Sequence, residues 1–342
     1  MTAPRYVDSL NGALHSLLKE HEEVLILGED LLDPYGGAFK VTRGLSTAFP
    51  GRVLPTPISE AAITGAGIGL AMRGMRPVVE LMFGDFLTLC VDQLVNHAAK
   101  FRFMYDGQVT VPLVVRTPMG GYRGYGPTHS QTLESLLTGV PLLEMIAPSH
   151  YHDPGALLAR AVLGCEDPVL FIEHKLLYPR RLVASGETDP ETSLRVTALS
   201  GEGSPFPTVS LRMVEDEAPA VTVVTYGGMA ALAAEAASRA FVSEEIVAEV
   251  IVPSRIKPLP IEDLLPSVRA SGKVLVIEEG PRTGGWGAEV SSRLHEAAFD
   301  DLRAPVARIG AADLPIPAAP GLEREVLPSV EAIGDAIARL AG

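Results

Sequence analysis

Apolar residues recur at helical spacing near the start of the chain (Leu10, Ala13, Leu14, Leu17, Leu18), which predicts an amphipathic helix over 6–19. A short continuous apolar run, Val24-Leu25-Ile26-Leu27-Gly28, then reads as a buried strand. The alternation continues with strands at 77–81, 111–116, 143–146 and 169–173 and helices at 86–100 and 153–163, the second capped by Asp153. Between 180 and 218 it breaks. Ser, Gly, Thr, Pro and Glu crowd together there, with room for a β-hairpin of 194–199 and 208–214. Strands at 221–225, 245–251, 274–278 and 306–309 then alternate with helices at 228–241, 285–298 and 329–340. Strands alternating with helices of this length predict parallel sheets covered on both faces. The expected fold class is α/β, with two three-layer domains at 1–180 and 219–342 and a linker or insertion at 181–218.

The stretch from Thr56 to Gly74 stands apart. Pro57 biases Thr56 toward an extended conformation, Ser59 is a suitable N-cap, and Gly74 a suitable stop. The helix between them carries Gly65, Gly67 and Gly69, each costing about 1 kcal/mol relative to Ala in a helix interior. A chain keeps such residues where something approaches the backbone closely: another helix, another subunit or a ligand. Glu60 is the only ionised side chain between Arg52 and Arg73. It serves either the helix macrodipole or a specific chemical task.

Composition narrows the field. A chain of 342 residues, 47% of them apolar, can build two cores, and it contains no uncharged run long enough for a membrane span. Met1 to Tyr6 shows no signal-peptide core. Two cysteines, Cys90 and Cys165, form no disulfide framework and fit a reducing cytoplasm. A net charge of −14 argues against nucleic acid and anionic membranes and allows a basic protein partner.

Several motifs are absent. The glycines at 65, 67 and 69 do not complete G-x-G-x-x-G, and there is no phosphate loop and no G-x-S-x-G elbow. Neither cysteine lies in an electropositive setting. His150-Tyr151-His152-Asp153 lacks the further ligands of a metal site and reads as a helix start. There is also no Gly-Asp-Gly with a downstream Asn, the pattern that holds magnesium diphosphate in thiamine enzymes. The glycine- and tyrosine-rich loop 119–131 follows a strand, at the sheet edge where open α/β folds bind ligands, and carries His129. That residue is either a surface histidine or one placed for proton transfer. Phe86, after another strand, is core or a stacking platform.

With these residues in view, the chain resembles the beta subunit of the thiamine-diphosphate-dependent 2-oxo acid dehydrogenases, of pyruvate, branched-chain and acetoin type. The resemblance rests on the ordered set Thr56-Pro57-Ile58-Ser59-Glu60, Gly74 to Glu80, Phe83-Gly84-Asp85-Phe86, Asp92-Gln93, Ala98-Ala99-Lys100, Thr128-His129-Ser130-Gln131, Asp167-Pro168-Val169, Glu278-Glu279-Gly280 and Gly284 to Glu289. It implies a transketolase-like pyrimidine-binding domain followed by a transketolase C-terminal-type domain. By the same resemblance Glu60 would hydrogen-bond the aminopyrimidine of thiamine diphosphate, Ile58 and Phe86 would pack on that ring, and His129 would be the active-site histidine. A potassium ion would lie at the backbone of Leu113, Ala161, Val162 and Asp167.

The missing diphosphate motif implies that an alpha subunit holds the Mg2+ and the other half of the cofactor, in an α2β2 heterotetramer active only when assembled. A 2-oxo acid would be the small-molecule substrate and a lipoyl acyltransferase core the acceptor, docked through acidic residues such as Glu323, Glu325 and Glu331. The run 284–289 would serve an interface or domain packing. The departures at 182–218, Val252-Pro253-Ser254-Arg255 and Tyr122 to Gly126 keep open two rivals: a biosynthetic acyl or acyloin transferase, and a non-catalytic scaffold of the same fold. The 122–126 loop is expected where substrate enters.

Overall fold

The computed structural model describes residues 3–201 and 203–342; Met1, Thr2 and Glu202, the last within the expected linker, lie outside the described residues. The chain forms two compact units. The first comprises residues up to 119 with 136–146 and 153–182, and the second comprises 120–135, 147–152 and 183–342.

In the first unit the helices are α1 (Tyr6–Glu20), α2 (Leu45–Ala48), α3 (Glu60–Ala71), α4 (Ala99–Met104) and α5 (Pro154–Gly164). The strands are β1 (Val24–Gly28), β2 (Val53–Pro55), β3 (Arg76–Glu80), β4 (Val114–Met119), β5 (Glu144–Ile146) and β6 (Val169–His174). They pair in parallel in the order β5-β6-β4-β3-β1-β2. Every position of β1, β4 and β6 is buried, as helices on both faces of a parallel sheet require. Asp153 caps α5 as expected, accepting from the N–H groups of Gly155 at 3.1 Å and Ala156 at 3.2 Å.

Two local readings change. Ser59 occupies the N-cap position of α3 but its side chain makes no capping bond, which leaves the first turn to Glu60. The single helix expected over 86–100 is instead a 3₁₀ segment, Gly84–Cys90, a π-helical segment, Gln93–Ala98, and α4. The interruption begins at a close approach: a Cβ on Gly84 would lie 2.4 Å from the side chain of Met119. Short 3₁₀ and π segments recur where a chain departs from regular geometry to place a side chain.

The second unit contains β7 (Arg195–Ala198), β8 (Thr208–Arg212), β9 (Val221–Val224), β10 (Ala248–Pro253), β11 (Arg255–Lys257), β12 (Val274–Pro281) and β13 (Ala307–Ala311). Its helices are α6 (Met229–Glu244), α7 (Ile261–Ser271), α8 (Trp286–Ala298), α9 (Pro320–Val326) and α10 (Val330–Ala341). The sheet order is β13-β12-β9-β10-β8-β7. β9, β10, β12 and β13 run parallel, and β7 and β8 add antiparallel at one edge. The hairpin read from the sequence therefore exists, with Val196 opposite Leu211. It belongs to the sheet: Leu194, Val196, Val209 and Leu211 are buried in the second core, so this stretch has a packing role that its polar composition concealed.

The three glycines of α3 have different surroundings. A Cβ on Gly67 would lie 2.8 Å from Val79 Cγ2 and 3.0 Å from Leu113 Cδ1, so the helix seats directly on β3. Gly69 has nothing within 4 Å. Gly67→Ala is expected to destabilise the chain by about 1–3 kcal/mol through overpacking. Gly69→Ala is expected to stabilise it by up to about 1 kcal/mol through helix propensity. Urea unfolding of the two variants checks this; equal effects would mean that the helix does not rest on the sheet at Gly67.

Candidate functional site

Glu60 opens α3 just beyond the carboxyl end of β2, and it is only 5% exposed. No hydrogen-bond partner for its carboxylate is found among the described residues. Beneath it lie neutral groups. Thr64 Oγ1 meets Cys90 Sγ at 3.2 Å, which fastens α3 to the 3₁₀ turn that carries Phe86. Burial, together with the nearby carboxylates of Glu60 and Glu29, pushes the Cys90 thiol up to about 11 and keeps it protonated. Ile58, two residues before Glu60, is 83% exposed, an apolar side chain presented outward beside a buried acid.

Sequence reasoning passed over Glu29, which follows β1 and is buried. Its Oε1 has no hydrogen-bond partner among the described residues. Burial first, and then the charges of Glu60 and Asp30, raise its pKa above the ordinary carboxylate value. An acidic residue directly after a buried strand, at the ligand-binding edge of a parallel sheet, is the signal that could have found it.

Phe86 is half-buried and set edge-on to Phe83, with centroids 5.8 Å apart and planes at 77°. Phe83 meets Phe39 edge-on at 5.7 Å, and Phe39 stacks on Tyr178 at 5.1 Å. The row ends on a buried ion network. Arg116 donates to both oxygens of Glu173, from Nε at 2.7 Å and from Nη2 at 2.6 Å, and to Glu80 from Nη1. Tyr178 donates to Glu173 at 2.7 Å. Breaking such a buried cluster by removing one partner typically costs 3–5 kcal/mol, since an uncompensated charge stays behind. The position of Phe86 is therefore anchored through aromatic edges to an arginine in the centre of the sheet. A charged residue inside an apolar strand, flanked by strands ending in Glu, was its sequence signal.

His129 belongs to the second unit. It is half-buried, with Nδ1 at 2.9 Å from Thr128 Oγ1. The segment around it winds tightly. Gly120, Tyr122, Gly124 and Gly126 all have positive φ, at 95°, 64°, 69° and 77°. Tyr122, expected near substrate entry, instead packs against the second core and donates to Pro328 O at 2.8 Å. The Gly124 N–H donates to Glu323 at 3.1 Å. Glu323 is buried, so it is removed from the acidic docking residues; Glu325 and Glu331 are exposed, and Glu331 pairs with Arg239.

The run 284–289 folds within its own unit: Glu278 Oε2 accepts from Gly287 N at 3.0 Å at the N-terminus of α8, and Glu278 Oε1 accepts from Arg308 at 2.8 Å. His152 is buried and its pKa falls to about 4, chiefly through desolvation, so it stays neutral. Among the described residues no group of three or more His, Cys, Asp or Glu is placed to hold a metal ion. At the expected potassium positions each of three backbone carbonyls accepts a hydrogen bond. Val162 O already accepts from the Arg76 guanidinium at 2.7 Å, Leu113 O from Val169 N at 2.9 Å, and Ala161 O from Cys165 N at 3.4 Å. Arg102 pairs with Asp167 at 3.1 Å. Among the described residues no helix is long and apolar enough to cross a membrane.

Glu134, fully buried in the second unit, accepts from Tyr226 Oη at 2.5 Å, and its Oε2 has no hydrogen-bond partner among the described residues. Desolvation, with smaller contributions from Glu278 and Glu279, pushes its pKa up to about 7. The folded state therefore prefers the protonated acid. Stability is expected to fall as pH rises from the ordinary carboxylate value of 4.5 to about 7, where this group ionises in the folded state, and to level off above it. Glu134→Gln should match the parent near the lower limit and exceed it in melting temperature at pH 8. An unchanged difference between the two across that range would contradict the assignment.

Residues 3–181 match the family described as "Transketolase, pyrimidine binding domain", and residues 212–333 match "Transketolase, C-terminal domain". The chain is 37% identical over 327 residues to the pyruvate dehydrogenase E1 component subunit beta-1, mitochondrial, of Arabidopsis thaliana, covering 95% of this chain and 86% of that protein. It is 35% identical to the 2-oxoisovalerate dehydrogenase subunit beta of Bacillus subtilis, covering 100% and 99%. It is 36% identical to the acetoin:2,6-dichlorophenolindophenol oxidoreductase subunit beta of Cupriavidus necator, covering 96% and 94%. Among solved structures, one described as "Split gene transketolase, inactive beta4 tetramer" shares the fold at a TM-score of 0.73 and 22% identity, over 98% of each chain.

Proposed function

Because the chain belongs to the beta-subunit family of the thiamine-dependent 2-oxo acid dehydrogenase E1 components, we propose that it provides the pyrimidine half of a thiamine diphosphate centre. An alpha subunit provides the diphosphate half with its Mg2+, in an α2β2 assembly outside of which the chain is inactive. The substrate is a 2-oxo acid, and the acyl group passes to a lipoyl carrier on an acyltransferase core. The observation that carries this reading is Glu60: a buried carboxylate with no partner, next to an exposed Ile58 and fastened to the turn bearing Phe86. That constellation suits a flat heteroaromatic ring with a nitrogen at one edge.

When bound, thiamine diphosphate supplies the carbon nucleophile and the electron sink for decarboxylation. Glu60 holds a proton between its carboxylate and the ring nitrogen, in surroundings where such a bond is stronger than in water. Glu29, whose raised pKa reflects burial and the Glu60 charge, limits how much negative charge accumulates there. Ile58 and Phe86 orient the ring by apolar contact, and the Phe83–Phe39–Tyr178 row keeps Phe86 from turning away. Thr128 Oγ1 lies 2.9 Å from His129 Nδ1 and helps to orient the ring, and proton exchange with a substrate oxygen or the acyl acceptor is assigned to this imidazole.

The exposed small face of α3, formed by Ala62, Gly65, Ala66 and Gly69, together with exposed Phe103 and Met104, suits close packing against other subunits. Docking of a basic domain of the acyltransferase falls to acidic surface residues such as Glu325. A potassium ion at the backbone of Leu113, Ala161, Val162 and Asp167 stays part of this reading; Arg76, which donates to Val162 O, would be its nearest competing cation. The free cysteines Cys90 and Cys165 suit a reducing compartment, and the proposed place of action is the cytoplasm.

Glu60→Gln in the reconstituted complex is expected to lower decarboxylation by about a hundredfold or more while assembly with the alpha subunit survives. Steady-state rates alongside size-exclusion profiles check this, and turnover at the parent rate would remove Glu60 from the chemistry.

A further inference from the structure

In the second unit the strand order reverses between β9 and β12, since β10 lies on one side of β9 and β12 with β13 on the other. In open parallel sheets the crevice beyond the carboxyl ends of two such strands is where ligands bind. Here Tyr226 follows β9, and Glu278 to Pro281 end β12. Both sides of the crevice are taken by the chain itself. Tyr226 Oη donates to Glu134, and one oxygen of Glu279 accepts from the Gly121 N–H at 2.6 Å and from Thr132 Oγ1 at 3.2 Å.

These three bonds fall on the two ends of one segment, 121–134, whose middle carries His129. Between the ends, Gly124 N donates to the buried Glu323, and Tyr122 Oη donates to Pro328. A Cβ on Gly121 would lie 2.5 Å from Leu327 Cδ1, and one on Gly280 would lie 3.3 Å from Thr132 O, so backbone and domain meet without side chains between them.

We propose that the second unit uses its own switch-point crevice as a seat for the His129 segment, with Glu279 as the positioning residue that closes the segment's two ends onto β12. A bridge from one carboxylate oxygen to two points eleven residues apart in sequence, Gly121 and Thr132, shortens the loop that His129 can explore. A carboxylate accepting charge-assisted bonds in a buried site holds that geometry more firmly than a neutral acceptor. Glu279 does not touch the reacting atoms; it acts through the placement of His129.

This inference rests on the proposed role of His129, and the test separates the two. The first readout is independent of activity: limited trypsin digestion of the full chain at Arg123, an exposed residue inside the segment. Glu279→Ala is expected to raise cleavage after Arg123 about tenfold, and Glu279→Gln, which keeps an acceptor oxygen, to restore most of the protection. Thr132→Val, which loses one of the two bonds, should fall between them. The second readout uses the assembled complex with a lipoyl domain as acceptor. There Glu279→Ala should lower kcat about tenfold with KM for the oxo acid and affinity for thiamine diphosphate within twofold of the parent, and Glu279→Gln should recover most of the rate.

Cleavage at the parent rate in Glu279→Ala would overturn the seat, whatever the catalytic result. Increased cleavage with an unchanged kcat would show a loop clamp that does not serve His129, which overturns the positioning role. Should Glu279→Ala not fold, Thr132→Val carries the same two measurements. A complex with no thiamine-dependent activity would count against the proposed function and would leave the digestion result to decide the seat.

Discussion

A largely buried carboxylate with no hydrogen-bond donor among the described residues is the constraint on which the first unit turns. Burying such a group unpaired costs several kcal/mol, so a fold that retains it has either neutralised it or reserved it for a donor from outside the chain. Glu60 is largely buried at the start of α3, and burial, with the Glu60 charge, raises the pKa of Glu29 nearby. Much of the surrounding architecture serves to hold this pair still. Gly67 lets the helix lie on β3, Thr64 and Cys90 tie it to the 3₁₀ turn, and that turn presents Phe86. Behind Phe86 a row of aromatic rings leads to Arg116, whose guanidinium pairs with the carboxylates of Glu80 and Glu173.

The second unit meets a similar problem with a different solution. Its buried acids are mostly supplied with donors: Glu278 by a helix N-terminus and Arg308, Glu279 by a backbone N–H and a threonine, Glu323 by Gly124 N. Glu134 and Glu323 are each half satisfied, with one oxygen of each left without a partner among the described residues, and Glu134 is pushed toward neutrality. Glu279 and Glu323 bond the 121–134 segment, and Glu278 bonds the start of α8. The unit thus spends its acidic strand ends on internal order, whereas the first unit leaves one acid waiting.

Periodicity made most of the fold legible. Strands at 24–28 and 169–173 and the helix at 153–163 appear within a residue or two of their expected bounds, because buried parallel strands and a capped amphipathic helix leave strong local marks. The helix expected at 86–100 did not survive, because tertiary contact at Gly84 and Met119 decides its geometry and no local propensity encodes it. Within the polar stretch 181–218 the hairpin was legible, but its packing into the second core was not. In the candidate site, Glu60 was legible as an isolated charge on an apolar helix. Glu29, Phe83 and Glu279 were not, since their importance comes from neighbours distant in sequence. Glu323 shows the reverse error: an acidic residue in an acidic tail looks exposed until a loop from elsewhere folds onto it.

The most direct measurement is turnover of the assembled complex loaded with an analogue of thiamine diphosphate in which the pyrimidine nitrogen proposed to meet Glu60 is replaced by carbon. The analogue keeps shape, apolar contacts and diphosphate, and removes only the partner proposed for that acid. The account predicts that it binds with affinity close to that of the natural cofactor and that turnover falls by about a hundredfold or more. Turnover within a few-fold of the natural cofactor would contradict it, because Glu60 would then have no proton to hold.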